Sequence, residues 1–286
     1  MAGTGKPKTV LPPLACDCHA HVIGPASRYP LSAARVYTPP DSLPEDYGQL
    51  LATLGIQRAV LVQPSIYGSD NRLLLDALHR DPARYRGVAV AQEDVTLQEL
   101  RLWHAAGVRG LRVNLVDRHD KQGKLPLDLL NRLGERIAPL GWHLELLMHV
   151  DQHADELGAL AELPTPVSLG HFGYQSLGMG ADSDGFAALL DVLRSNRIWV
   201  KLTGPYRLTA SPLPYAECDS LALSLREAAP HRLLWGSDWP HVMLKGRMPD
   251  DAELVDLIPR WLPDARLQRQ VLVDNPQAFY DFGDEE

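Results

Sequence analysis

Eight short apolar runs, each separated from the next by a segment with helical spacing, constrain this chain more than any other feature. The runs are ACDCHAHVI, RAVLVQPS, RGVAVA, GLRVNLV, HLELLMHV, VSLGHFG, RIWVKLTG and RLLWGSD. Their length and their Val, Leu and Ile content suit strands. Between them lie DSLPEDYGQLLATLG, NRLLLDALHRDP, TLQELRLWHAAG, LPLDLLNRLGERIAPLG, DELGALAEL, DGFAALLDVLRSN and LSLREAAP, which read as helices. In the first of these, Ser42 is the expected N-cap and Gly55 the stop. Strands that are apolar throughout are those buried on both faces of a parallel sheet. Eight of them alternating with helices predict an α/β fold, a (β/α)8 TIM-like barrel. No Ser/Gly-rich linker and no repeat divides the 286 residues. One barrel domain, 1–286, with 1–12 as a flexible tail, is therefore expected.

Composition narrows the function. The formal charge is -8 and there is no Lys/Arg-rich run, which argues against a nucleic-acid surface. No apolar run approaches the ~18 residues of a membrane span, and MAGTGKPKTVLPPL has no leader-like apolar core. Cys16, Cys18 and Cys218 cannot all pair, and reduced thiols fit a cytoplasmic protein. The expected partner is a small molecule, with monomer and homo-oligomer both open.

In such a barrel the chemistry gathers where the strands end at their C-terminal face. His19 and His21 share one face of the first strand by the period-2 rule. Gln63 and Ser65 end the second strand, Arg112 and Asn114 the fourth, His149 the fifth, His171 the sixth, Lys201 and Thr203 the seventh, and Asp238 the eighth. A single histidine is most often a packing residue. His19, His21, His171 and Asp238 at one barrel edge instead suggest a catalytic cluster, with Asp238 ionised and placed to take a proton. At least one imidazole is expected to be protonated in turnover. Arg112, Arg118 and Arg207 form a second group; Arg112 sits in an apolar strand, where an unpaired charge is costly. Converging guanidiniums suggest an anionic substrate with more than one carboxylate, held bidentately.

At these residues the sequence resembles the amidohydrolase superfamily, and within it the branch that contains the 2-pyrone-4,6-dicarboxylate lactonases. The similarity is carried by DCHAHVIGPASRYPLSAARVYTPPD, VQPSIYGSDNR, GVRGLRVNLVDR, GWHLELL, LLWGSDWPHVMLKGRMPDD and LVDNPQAFY. The resemblance implies an amidohydrolase-type barrel that opens a carboxylated lactone, a carboxylic ester hydrolysis of the kind met in aromatic degradation. It implies that His19, His21 and His171 polarise the lactone carbonyl and that Asp238 activates water. Tyr37, Ser65, Arg112, Arg118 and Arg207 are the implied substrate-binding group. Many superfamily members hold divalent ions, but the fourth strand here has no bridging Lys or Glu, and the resembling lactonases work without metal. Metal-independent chemistry with no required cofactor is the expectation; the alternative is one Zn2+ on His19, His21, His149 and Asp238. Two positions depart from the lactonase pattern: Tyr174 replaces an arginine and Leu147 a tyrosine. A lactone isomerase or zinc-dependent decarboxylase on the same barrel, and a non-catalytic sensor of such acids, are the competing readings.

Overall fold

The computed structural model describes residues 5–116, 123–244 and 246–283. Each apolar run forms a strand: β1 (Cys16–Ala20), β2 (Arg58–Val62), β3 (Tyr85–Ala89), β4 (Val108–Asn114), β5 (His143–Leu147), β6 (Val167–Leu169), β7 (Ile198–Thr203) and β8 (Leu233–Gly236). They form one sheet in sequence order, and each consecutive pair is parallel. A parallel bridge between Ala20 and Trp239 brings the end of β8 back to β1. The His21 N–H donates to the Trp239 carbonyl at 2.8 Å and the Asp238 N–H to the His19 carbonyl at 2.8 Å. The bonds that close the barrel therefore join the segments carrying His19, His21 and Asp238.

The helices α1 (Pro44–Leu54), α2 (Arg72–Arg80), α3 (Leu97–Ala105), α4 (Leu127–Ile137), α5 (Leu157–Ala161), α6 (Asp184–Leu193), α7 (Glu217–Ala228) and α8 (Asp251–Val255) lie between or after the strands. Their ends follow local chemistry. Pro44 pre-sets the first turn of α1, the Asp46 carboxylate accepts from the Leu43 N–H at 3.1 Å, and Gly55 ends the helix at φ 77°. The cap is thus Leu43, one residue after the expected Ser42. Ser42 instead exchanges both backbone hydrogen bonds with Ile23, pinning the long loop after β1 to the barrel mouth. Thr96 and Glu99 satisfy each other's N–H groups in a capping box at α3.

Two buried clusters hold the fold. Cys16, Cys18, Val60, Val62, Val88, Trp199 and Leu234 pack together with Tyr280 and Phe282 from the C-terminal segment. The complementary strand residues, such as Ala59, Leu61, Leu111, Leu144 and Val200, pack with the helices in the larger cluster. Burying each such leucine contributes ~2 kcal/mol. The β1–β2 register slips between Asp17 and Ala20, which marks a bulge in β1. Cys18 and His19 are the two residues within it: Cys18 packs into the inner cluster and His19 meets groups from β5 and β7. A bulge re-aims side chains in this way. The segment expected as a flexible tail bonds along α8 and its C-terminal turn, with Gly5 N–H to Asp250 and Thr9 N–H to Asp256 at 2.8 Å. Among the described residues no helix is long and apolar enough to cross a membrane.

Candidate active site

The three histidines and the aspartate meet at the C-terminal mouth of the barrel. The His19 ring lies 5.0 Å from His21 and 5.4 Å from His171, centroid to centroid, in edge-on contacts. Two of the rings are anchored on main chain: Nδ1 of His21 is 2.7 Å from the Val62 carbonyl, and Nδ1 of His171 is 3.2 Å from the Thr203 carbonyl. Asp238 is fully buried at φ 65°, a left-handed conformation that non-glycine residues adopt at a cost and that clusters at functional sites. Its Oδ2 accepts from the Tyr206 hydroxyl and from Arg207 Nε, each at 2.7 Å. Its Oδ1 lies 3.7 Å from His19 Nε2 and 4.0 Å from His21 Nε2. Both Oδ1 and His19 Nε2 are buried without a hydrogen-bond partner. Buried polar atoms are seldom left so, and the pair marks a place for a reacting atom. Gly204, at φ 59°, makes room for the side chains of His171 and Asp238: a Cβ there would stand 2.8 Å from His171 Nδ1 and 3.0 Å from Asp238 Oδ2.

Burial alone would raise the Asp238 carboxyl, but Arg207 first, then His171, His21 and the Tyr206 hydroxyl, hold it well below the usual carboxylate range. It is a carboxylate at any ordinary pH. The imidazoles move the same way for another reason. Burial, with Arg112 adding repulsion, lowers His21 to about 3. Burial lowers His171 to about 4 despite the attraction of Asp238. Burial, then Lys201 and the neighbouring rings, pushes His19 well down. Burial and the surrounding cations thus favour the neutral form of all three rings in the free protein; the expected imidazolium belongs to turnover. The cause is the dry barrel mouth together with the cations around it.

Several groups of this site, Glu145, Tyr206, His241 and Asp17, were missed in the sequence, and Lys201 was placed at the end of its strand without a role. Glu145 of β5 and Lys201 of β7, both buried, form an ion pair directly under His19. Tyr206 joins Asp238 to His241, whose Nδ1 is 2.8 Å from the tyrosine oxygen and whose Nε2 is 3.2 Å from Asp251 Oδ1. Asp17 accepts from the His19 N–H at 3.1 Å, the Ser237 N–H at 2.9 Å, the Ser237 hydroxyl and the Tyr47 hydroxyl at 2.9 Å. It therefore ties the β1 bulge to the end of β8. The available signals were the carboxylate inside HLELL, the tyrosine beside Arg207, and a histidine three residues after Asp238.

The expected substrate group is dispersed around this centre. Arg112 reaches the Gln63 carbonyl at 3.1 Å and is close enough to all three histidines to repel a proton from each. Arg207 spends Nε on Asp238 and Nη2 on the Val242 carbonyl at 3.0 Å. Ser65 opens a 3-10 turn directly after β2, and Tyr37 lies half-buried in the loop between β1 and α1. Arg118 lies outside the described residues. Tyr174 stacks on His149 at 4.6 Å and leans on His171 at 5.1 Å, and Leu147 is the last residue of β5.

Ligand atoms of His19, His171 and Asp238 lie within 4.8 Å of one another, a set that would suit a zinc ion. Neutral rings, an ionised carboxylate and the unpartnered Oδ1 and His19 Nε2 fit that group. His149 is not in the set; its Nδ1 is 2.6 Å from the Tyr174 carbonyl.

Comparison with known proteins agrees with this architecture. The family model described as amidohydrolase matches residues 16–282. The 4-sulfomuconolactone hydrolase of Rhizobium radiobacter is 38% identical over 94% of this chain and 91% of its own length. The 2-pyrone-4,6-dicarboxylate hydrolase of Comamonas testosteroni is 38% identical over 98% and 94%. A solved probable 2-pyrone-4,6-dicarboxylic acid hydrolase from Acinetobacter baumannii, with citric acid bound, superposes with a TM-score of 0.81 at 26% identity, covering 94% of this chain and 99% of that one. An amidohydrolase from Burkholderia multivorans with zinc bound shares the fold, with a TM-score of 0.73 at 20% identity over 94% and 99%. A family match over nearly the whole barrel and two relatives above one-third identity agree, and the chain belongs to the amidohydrolase family.

Proposed function

We propose that this chain is a carboxylic ester hydrolase that opens the ring of a small anionic lactone, such as 2-pyrone-4,6-dicarboxylate or a sulfonated muconolactone. The observation that carries the reading is the pair of buried, unpartnered atoms, Asp238 Oδ1 and His19 Nε2, 3.7 Å apart. One is a base and the other faces it across the space where a carbonyl and a water would meet. The relatives named for lactone hydrolysis support the reaction class.

In this reading Asp238 Oδ1 takes a proton as the water oxygen bonds to the lactone carbonyl carbon. His19 faces the carbonyl and stabilises the charge that develops on its oxygen, while His21 and His171 orient the attacking water. The ring C–O bond then breaks, the proton passes to the departing ring oxygen, and the product is a carboxylate with an enol or alcohol. Arg207 and Tyr206 hold Oδ2, so Asp238 keeps its position through the cycle. Arg112, with Arg118, Tyr37 and Ser65, binds the anionic substituents.

A zinc ion on His19, His171 and Asp238 would supply Lewis-acid polarisation of the carbonyl or of water. The reading without it rests on Arg112, Arg207 and Lys201, which already supply positive charge beside Asp238, Glu145 and the imidazoles. The buried thiols Cys16, Cys18 and Cys218 support a reducing, cytoplasmic setting.

The test is a screen of carboxylated and sulfonated lactones followed by chromatography of the products, with and without chelator. Ring-opened acid formed at a rate proportional to enzyme is expected. Recovery of an isomeric lactone instead would assign the isomerase reading.

A further inference from the structure

Lys201 is fully buried on β7, beneath the reacting groups and out of reach of substrate. Its Nζ donates to the Cys18 carbonyl at 2.8 Å and to Glu145 Oε2, and lies 3.3 Å from Nδ1 of His19. An ammonium has three protons and accepts no hydrogen bond. Two protons go to the Cys18 carbonyl and Glu145, and since the ammonium cannot accept, its contact with Nδ1 of His19 is a hydrogen bond only if that nitrogen is bare. The single proton of the neutral ring then sits on Nε2, opposite the unpartnered Oδ1 of Asp238. His21 and His171 are set the other way. Their Nδ1 atoms meet the carbonyl oxygens of Val62 and Thr203, which can only accept, so each ring's proton is on Nδ1 and Nε2 is bare.

We propose that Lys201 is a positioning residue that fixes His19 as the Nε2–H tautomer, making it the hydrogen-bond donor to the lactone carbonyl, while His21 and His171 present acceptor nitrogens to the water. This rests on the hydrolase reading above. The competitor for the same nitrogen is Glu145, whose Oε1 is 3.5 Å from His19 Nδ1. Without the ammonium, that carboxylate would draw the proton to Nδ1 and leave Nε2 bare. A ring whose Nδ1–H faces a carboxylate is the arrangement typical of a metal-ligating histidine. Residue 201 therefore decides whether His19 donates a hydrogen bond or ligates.

Long-range 1H–15N correlation spectra of the full-length protein, labelled on histidine nitrogen, read each tautomer directly at neutral pH, with His19→Gln, His21→Gln and His171→Gln assigning the signals. The expected result is Nε2–H for His19 and Nδ1–H for His21 and His171. In Lys201→Met the His19 signal should change to the Nδ1–H pattern. The same variant should lose at least about tenfold in kcat with KM within about threefold, the mark of a group acting in the transition state. Calorimetry should show its zinc affinity rising about tenfold or more. Glu145→Gln, which keeps the ammonium, should retain the Nε2–H pattern. Wild-type His19 in the Nδ1–H form overturns the proposal whatever the variants do, even if Lys201→Met does not fold. A lysine variant that keeps Nε2–H and full kcat overturns it too. If wild-type His19 is Nε2–H but no lactone is turned over, the tautomer assignment stands and the hydrolase reading fails.

Discussion

Replacing Asp238 with asparagine separates the shape of the proposed catalytic carboxylate from its basicity. In the wild type, Oδ2 accepts from Tyr206 and Arg207 at 2.7 Å each, while Oδ1 is unpartnered. A carboxamide can keep both bonds only by turning its oxygen toward Tyr206 and Arg207. Its NH2 group then stands where Oδ1 was, a donor in place of a base. Losing a positioned general base costs ~10²–10⁴ in rate, or about 3–5 kcal/mol in the barrier at 1.36 kcal/mol per tenfold. Arg207 also loses its counter-charge, but its side chain is 15% exposed, so water offsets part of that loss. We expect kcat to fall at least ~10²-fold, KM to change less than about fivefold, and the thermal midpoint to drop by only a few degrees. Steady-state absorbance kinetics on a carboxylated lactone, with thermal melts of both proteins, make the comparison. A folded Asp238→Asn enzyme within tenfold of wild-type kcat would refute the role of Asp238 as base.

Other perturbations follow from the same geometry. Arg112→Met should raise KM about 30-fold for a charged lactone and less than about threefold for its methyl ester, since a charge-assisted pair is worth ~2 kcal/mol; equal losses would make Arg112 structural. Arg207 is the largest influence holding the Asp238 carboxyl down. Arg207→Met should therefore raise that carboxyl, so that kcat/KM is lost as pH falls through a value about 1–3 pH units higher than in the wild type. An unmoved acidic limb contradicts the pairing. His21 at about 3 and His171 at about 4 lie below the ~6.5 of the unfolded chain, so the unfolded state binds protons that the folded state does not. Stability should fall as pH drops below ~6.5, on the order of 2 kcal/mol per histidine by pH ~5. Asp17, raised to about 6 by burial, offsets part of one such step. Urea midpoints at the two pH values would show it, and an unchanged midpoint would count against neutral buried rings.

The barrel was legible because its evidence is local. Every strand is an apolar run of a few residues, and Gly55 ends α1 where the sequence places it. The cluster was legible because the strand-end rule places His19, His21, His171 and Asp238 together from positions alone. What escaped depends on distant partners. Glu145 reads in HLELL as an ordinary strand carboxylate, and only closure of the barrel puts it against Lys201, 56 positions away, and both of them against His19. The β1 bulge, which carries the chain from Cys18 in the inner cluster to His19 at the site, leaves no mark in CDCHA. The charge state of the rings in the free protein was not legible because it depends on burial and on Arg112 from β4 and Lys201 and Arg207 from β7 and the turn after it.

The account's central claim is that the chain's own groups open the lactone ring, and kcat/KM on metal-stripped protein tests it most directly. The enzyme is treated with chelator to below stoichiometric metal, assayed on a carboxylated or sulfonated lactone across pH ~5–9, and assayed again with one equivalent of zinc. Undiminished turnover of the stripped protein, with a rate that does not track metal content, is the predicted result. A dead stripped enzyme restored by one equivalent of zinc would contradict the claim and assign the reaction to a metal on His19, His171 and Asp238.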